Sequence, residues 1–411
     1  MKWPAAGVAL LILGGAACAG PPPGARTSVY VQTRGRELVG PDGAVLRLRG
    51  INLGNWLVPE GYMWKFEKGP QSPRQIQELV ADLVGPDEAR AFWTSWRDTY
   101  VTREDIAYLR KIGLNSVRVP FNYRLLTPED RPGVWLDEGF SLLDRVIAWC
   151  REEGLWVILD MHCAPGGQTG TNIDDSWGWP SLFESAESQA RTVEVWRKIA
   201  ERYRGEPTVL GYDLLNEPIP HWPEVQKYNP LLEPLYKRIV ASVREVDPSH
   251  VVFLGGAQWD TNFAVFGPPF APNLAYTLHK YWNETTDASI KPFLDFRDRH
   301  DVPLWLGESG ENTDEWVAAC VRLMERHGIG WAFWPYKKMD ATSSIASVER
   351  PPHWDEIASY AAARGTDFEA NNKLRPSLEH SRAALAGLIE NARFKNARVN
   401  AGYARALGLS P

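Results

Sequence analysis

At 411 residues with 44% hydrophobic side chains, the chain has ample material for a core, which excludes a disordered protein. Its length admits two small domains or one large barrel. A net charge of -6 leaves no basic footprint, so no nucleic-acid partner is expected.

In chain order, Lys2, the apolar stretch Ala5 to Leu13 and the small residues Gly14 to Ala17 read as a secretion signal over 1–17, too short to span a bilayer. Gly15-Ala16-Ala17-Cys18 resembles a bacterial lipoprotein box, whose cysteine becomes the lipidated first residue. Export is the expectation, to a bacterial periplasm or cell surface, with a lipid anchor at Cys18 or otherwise secreted. A Pro/Gly-rich tether follows over 18–28, extended by its prolines. Cys150, Cys163 and Cys320 are too far apart for a disulfide framework and fit no zinc spacing, so they read as small buried apolar residues.

A catalytic domain is expected over 29–395, with a C-terminal tail over 396–411. Tyr30 to Leu48 reads as a hairpin turning at Pro41-Asp42-Gly43, placed to plug a barrel bottom. Strands are expected at Leu46 to Asn52, Ser116 to Pro120, Trp156 to Met161, Val209 to Leu215, Val251 to Leu254, Ala275 to His279, Leu304 to Gly307 and Gly330 to Trp334. Helices are expected at Arg103 to Ile112, Phe140 to Glu152, Gln189 to Tyr203, Leu231 to Val246, Ile290 to Arg299 and Glu315 to Arg326. A last helix follows at Leu378 to Asn391, and only a Gly/Pro-rich loop, Gly255 to Pro272, lies between the fifth and sixth strands. This alternation implies parallel pairing with right-handed crossovers. No dinucleotide fingerprint follows the first strand, so the expected fold is an α/β (β/α)8 TIM barrel with long loops after strands 1 and 3. The loop after strand 3 contains Gly166-Gly167-Gln168-Thr169-Gly170, which lacks the Gly-Lys-Ser/Thr ending of a phosphate cradle.

Two of the apolar strands end on a glutamate. Gly211-Tyr212-Asp213-Leu214-Leu215-Asn216-Glu217-Pro218 stops where Pro218 cannot donate to a ladder, and Leu304-Trp305-Leu306-Gly307-Glu308 ends likewise. Two carboxylates at the carboxyl rim of a parallel barrel are what glycosidic bond hydrolysis needs. The other strand ends supply Arg118, His162, Asn216, His279, Tyr281 and Trp334. An arginine flanked by valines demands a carboxylate partner, because an unpaired buried guanidinium is costly.

With Arg118, His162, Asn216-Glu217-Pro218, His279-Lys280-Tyr281, Glu308 and Trp334 in this order on these strands, the chain resembles glycoside hydrolase family 5 over roughly Arg49 to Lys337. The resemblance implies that Glu217 is the acid/base and Glu308 the nucleophile of a retaining enzyme. It further implies that Asn216 binds the hydroxyl beside the reacting carbon, that Arg118 and Tyr281 hold Glu308, that His162 and His279 position substrate and acid/base, and that Trp334 floors the subsite. Arg49 to Leu57, His162 to Gln168 and Pro335-Tyr336-Lys337 are most similar to the exo-β-1,3-glucanase branch. Cys163 and Asn55 stand where that branch tends to have glycine, so linkage stays open between a β-1,3-glucanase or β-glucosidase and an endo-β-1,4-glucanase or β-mannanase. The expected partner is a β-glucan oligo- or polysaccharide, acted on by a monomer; no cofactor and no metal are implied. Arg118 among the histidines speaks against a metal-dependent hydrolase, and the presence of both glutamates against a barrel that only binds carbohydrate.

Of the 19 tryptophans, Trp149, Trp156, Trp196, Trp305, Trp316 and Trp331 read as core. Trp56, Trp177, Trp179, Trp222, Trp259 and Trp282 follow strand ends and are candidate sugar platforms. Asp174 and Asp175 read as solvated loop residues, and Glu311 as a rival nucleophile lying off the rigid strand.

Overall fold

The computed structural model describes Met1 and residues 28–411. The expected signal peptide, Cys18 and nearly all of the tether lie outside the described residues. A hairpin, β1 (Gln32–Arg34) and β2 (Glu37–Val39), precedes the barrel. The barrel strands are β3 (Arg49–Asn52), β4 (Ser116–Asn122), β5 (Trp156–Cys163), β6 (Val209–Asp213), β7 (Val251–Gly255), β8 (Leu274–Lys280), β9 (Leu304–Ser309) and β10 (Gly330–Phe333). Each pairs in parallel with the next, and β10 returns to pair with β3, closing the cylinder. This is the expected (β/α)8 barrel. β4, β6, β7, β8 and β9 are buried at every residue, because barrel contents cover one face and helices the other.

The hairpin turns at Gly35, in the left-handed region at φ 56°, and not at the expected Pro41-Asp42-Gly43; the latter makes a second, smaller turn bridged by Val39 and Val45. Val31 and Leu38 of the hairpin do pack into the barrel floor, with Ile158, Phe253 and Trp305. The long segment after β3 is more than a loop. Pro73–Val84 and Pro86–Thr99 are helices, the first begun by a Ser72–Gln75 capping box with proline at its first position. These helices bury Trp93 and Trp96 around Trp64, whose ring lies 4.8 Å from that of Trp96 and 5.8 Å from that of Trp354. Much of the unusual tryptophan content is this side core, each indole burying on the order of 200 Å². Trp56 belongs to it too, so it is no sugar platform.

Beyond β10 the chain adds a small sheet of β11 (Lys337–Met339), β12 (Ala346–Val348) and β13 (Arg398–Val399). The residues from 396 on, expected as a tail, therefore complete a sheet and continue as the helix Ala401–Ala406, with Tyr403 buried. Tyr403 Oη donates to the Trp334 carbonyl at 3.3 Å, tying this end of the chain to the barrel rim.

A buried ion pair staples β11 to the barrel. Lys337 Nζ lies 2.6 Å from Asp105 Oδ1 and donates to the Tyr100 and Ala392 carbonyls at 2.8 and 2.9 Å. Truncating one partner strands the other charge in a dry site, so Asp105→Ala is expected to cost about 3–5 kcal/mol of stability in urea unfolding. A loss below about 1 kcal/mol would mean that Lys337 finds water or another acceptor.

Candidate active site

The carboxyl ends of β3 to β10 open into one cavity of about 680 Å³ whose floor is polar and whose mouth carries indoles. Arg118 lies at its base, fully buried on β4. Its Nη1 lies 2.5 Å from Glu308 Oε1 and 3.0 Å from Asn52 Oδ1; its Nε donates to Asp213 Oδ2 at 2.8 Å and its Nη2 to Asn216 Oδ1 at 2.9 Å. Asp160 Oδ1 lies 3.0 Å from Nη2. Burial disfavours the guanidinium charge, yet Asp160, Asp213 and Glu308 together raise its pKa above the usual arginine value.

Glu308, at the end of β9, receives a second donor, Tyr281 Oη at 3.0 Å from Oε2. Glu217 sits just past β6 at φ 46°, a left-handed conformation that non-glycine residues adopt at some cost. His279 Nδ1 lies 2.8 Å from Glu217 Oε1 and 3.7 Å from Glu308 Oε2. A carboxylate oxygen from each glutamate and one His279 nitrogen all lie within 4.8 Å of one another. Burial, then the nearby Glu308 and Glu60, push Glu217 well above the carboxylate range. Burial also raises Glu308, but the Arg118 guanidinium opposes this and leaves it raised less than Glu217, so Glu217 is the carboxyl that holds the proton.

His162 ends β5 with Nδ1 2.7 Å from Asp160 and Nε2 3.3 Å from the Asn216 amide, and its ring stacks on Trp334 at 5.4 Å. Burial lowers its pKa to about 3, so it is neutral. Trp334 lies flat over Gly54, where a Cβ would meet the indole at 2.5 Å, and its Nε1 donates to Tyr62 Oη at 2.8 Å. All eight expected site residues are thus brought together, seven on the cavity wall and Arg118 beneath them.

Sequence reasoning missed Glu60 and Tyr62, which the segment after β3 folds over the cavity. Asn172 of the loop after β5 donates to Glu60 Oε2 at 3.1 Å, bridging the two long loops. Burial first, then Glu308 and Glu311, raise Glu60 well above the carboxylate range. Its only sequence signal was a glutamate in a stretch of apolar and aromatic residues. Asp174 and Asp175, expected in solvent, are buried: Asp174 accepts from the Thr169, Gly170 and Ser176 amides, and Asp175 from Arg74, Asn122 and Arg124. Glu311 reaches the cavity wall but pairs with Lys338. Of the candidate platforms, Trp222, Trp259 and Trp282 line the mouth, whereas Trp177 covers the Arg74 guanidinium at 4.0 Å.

Among the described residues, two groups have metal-like ligand spacing, Glu217–His279–Glu308 and the surface cluster His353–Glu356–His380. In the first, Arg118 and Tyr281 already occupy the Glu308 oxygens, and the guanidinium opposes a second cation. In the second, the two Nδ1 atoms lie 2.8 and 2.7 Å from the Glu356 oxygens in a closed hydrogen-bonded cluster.

Two carboxyls of unequal proton affinity, facing each other across a cavity at the carboxyl rim of a (β/α)8 barrel, define a glycosidase-type site. Residues 82–340 match the model of the cellulase family, glycosyl hydrolase family 5, and the chain belongs to that family and is a glycosyl hydrolase. It is 29% identical over 372 residues to a β-xylosidase from Phanerodontia chrysosporium, covering 82% of this chain and 76% of that protein. It is 33% identical over 298 residues to a probable glucan 1,3-β-glucosidase A from Aspergillus fumigatus, covering 69% of this chain and 68% of the relative. Endoglucanase C from Acetivibrio thermocellus is 27% identical over 331 residues, 66% of this chain and 93% of that one. The fold is shared with an endogalactoceramidase at a TM-score of 0.60 and 18% identity, over 92% of this chain and 84% of that one.

A carboxyl whose pKa is raised by folding contributes stability that is complete below its unfolded value, about 4.3, and is lost as pH rises toward the folded value. Glu217→Gln keeps the neutral shape without the ionisation. Its Tm is expected to match wild type near pH 4 and to exceed it by roughly 2 °C or more at pH 7–8. A Tm difference that does not grow with pH would show that Glu217 titrates normally.

Proposed function

We propose that this chain is a retaining β-glycoside hydrolase that cleaves β-glucosidic bonds of glucans or gluco-oligosaccharides by double displacement. The single observation that carries this reading is the pair of Glu217 and Glu308 carboxylate oxygens lying within 4.8 Å of each other. An inverting enzyme holds its carboxyls about 6.5–9.5 Å apart to admit water, and a retaining one about 5–5.5 Å. Glu308, charged beside Arg118, attacks the anomeric carbon while Glu217 gives its proton to the leaving oxygen. Glycosylation removes the Glu308 charge that helped hold the proton on Glu217. Glu217 then becomes the stronger acid, stays ionised, and takes a proton from the incoming water. Asn216, held by Arg118, presents its amide to the hydroxyl next to the reacting carbon, and Trp334 supplies the apolar floor.

Exo action on short β-1,3- or related β-glucosides fits the Asn172–Glu60 bridge, which walls the cavity between two loops. The relative named glucan 1,3-β-glucosidase supports the same reading. An endo-β-1,4-glucanase or β-mannanase would need a groove open at both ends. We also infer export with a lipid anchor at Cys18, and a monomeric enzyme; intact-mass analysis of the membrane-extracted protein tests the anchor, which an unmodified N-terminus would remove.

Glu308→Gln is expected to reduce turnover by about 10⁴-fold or more with the fold intact, and near wild-type turnover would place the nucleophile elsewhere. In Glu217→Ala, dinitrophenyl β-glucoside should still give a burst while unactivated glucosides fail, since only the latter need the acid. On laminari-, cello-, xylo- and manno-oligomers, the expected product is glucose released singly from laminari-oligomers, with the β-anomer formed first by NMR. Internal cleavage or initial α-anomer would overturn the exo or the retaining assignment respectively. Activity is expected to survive a chelator.

A further inference from the structure

Between β7 and β8 the chain makes an unusual turn. Gln258, Trp259 and Asp260 are three consecutive non-glycine residues in the left-handed region, at φ 51°, 57° and 60°. The turn is locked from within: Thr261 Oγ1 donates to the Gln258 carbonyl at 2.6 Å, and the Gln258 amide exchanges hydrogen bonds with Asn229. It swings the Asp260 carboxyl under the cavity floor, fully buried. Gly255, the last residue of β7, makes room, for a Cβ there would stand 2.1 Å from Asp260 Oδ1. Strain of this kind persists where the surroundings over-determine it, and it gathers at functional sites.

The carboxyl so placed touches two parts of the acid/base machinery. Asp260 Oδ2 lies 3.2 Å from His279 Nε2 and accepts the Glu217 backbone N–H at 3.4 Å. His279 Nε2 makes no aligned hydrogen bond in the structure and Asp260 Oδ2 is the carboxyl oxygen beside it, while Nδ1 lies 2.8 Å from Glu217 Oε1. We propose that Asp260 is a positioning residue for the acid/base: as a neutral carboxyl it donates to His279 Nε2 and thereby holds the imidazole in its Nδ1–H form. This role rests on Glu217 acting as the acid/base.

The chemistry follows from which nitrogen carries the hydrogen. With Nδ1–H, His279 donates to Glu217 Oε1, and the acidic proton on the other oxygen remains free to reach the leaving group. With Nε2–H, a bare Nδ1 would face Glu217 and capture that proton in an O–H···N bond. Neutral imidazole in water prefers Nε2–H, so a buried donor at Nε2 is needed to reverse the choice. The groups facing Asp260 are Asp213, Glu217, His279, Arg118 and Tyr236. Burial first, then Asp213 and Glu217, raise Asp260 well above the carboxylate range, and Arg118 opposes this only in part. Burial and then Arg118 keep His279 uncharged.

Two measurements test the proposal. In ¹⁵N-histidine spectra of the whole enzyme, with the His279 signal assigned by its disappearance in His279→Gln, Nδ1 should be protonated and Nε2 bare from pH 5 to 8. An Nε2–H form would overturn the proposal, whatever the variants do. In kinetics, Asp260→Ala should lose about tenfold or more of kcat/KM on glucosides with poor leaving groups and stay within about threefold on dinitrophenyl β-glucoside. Asp260→Asn, whose amide can donate in place of the acid O–H, should restore most of the loss. Equal losses on both substrates, an Asn variant as impaired as the Ala one, or no loss in either would each overturn the neutral-donor role. Should the wild type hydrolyse no β-glycoside, the reading of Glu217 fails instead, and the ¹⁵N result still decides the form of His279.

Discussion

The Arg118 guanidinium is the constraint on which the site depends. It is buried at the centre of a ring of strand ends, contacting Asn52 of β3, Asp160 of β5, Asp213 of β6 and Glu308 of β9. A buried ion forfeits several kcal/mol of hydration, so the charge stays only because surrounding oxygens replace its water. Those oxygens come from stretches far apart in sequence, which means that closure of the barrel and solvation of Arg118 are one event. A single positive charge faces more carboxyls than it can neutralise. Asp160 and Asp213 are pushed by burial up to about 7 even against its pull. Glu217, without direct contact to Arg118, is raised well above the carboxylate range and keeps its proton; Glu308, in contact, is raised less and is the readier of the two to ionise. The division of labour between two chemically identical side chains is thus set by reach to one guanidinium.

Placing these groups also strains the backbone. Glu217 and Ile219 after β6, Gln258 to Asp260 after β7, and Trp282 after β8 all have positive φ without being glycine. At about 1–3 kcal/mol each, such conformations would be lost from a weakly packed protein. Here the strands beneath them are buried along their length and the aromatic side core adds further apolar area. Stability accumulated in the barrel wall offsets strain concentrated at its rim, which is why substitutions that relax the rim tend to stabilise at the expense of turnover.

The barrel was legible because its signals are local: apolar runs of strand length, helical periodicity between them, and a polar residue where each run ends. Glu217 and Glu308 were readable for the same reason, each closing a run. Other features depend on what is packed nearby and leave no local trace. Asp174 and Asp175 look like solvated loop residues until Arg74, Asn122 and Arg124 are folded onto them. Asp260 sits in a Gly-rich stretch that reads as plain loop, since a left-handed run of Gln, Trp and Asp contradicts every propensity. The helices Pro73–Val84 and Pro86–Thr99 did carry a signal, in the Ser-Pro start and the apolar spacing, but a segment between strand and helix invited reading as a loop. The C-terminal strand and helix are short, and only their pairing with β12 and contact with Trp334 give them structure.

The loops do more than shape the cavity, because they alter its charge. Glu60 arrives on the segment after β3, is bridged to the opposite loop by Asn172, and ranks directly after burial and Glu308 among the influences raising Glu217. Burial, then Glu308 and Glu311, in turn raise Glu60 well above the carboxylate range, so the carboxyls of wall and floor compete for charge. Wall and acid therefore share one electrostatic account in a cavity where a low dielectric lengthens the reach of every charge. Barrels of this kind are described as separating a fixed chemistry at the strand ends from a specificity that varies in the loops. In this chain that separation is incomplete: a loop carboxyl that faces the sugar also tunes the proton that cleaves it, so a change in what the cavity grips is at the same time a change in how strong an acid it holds.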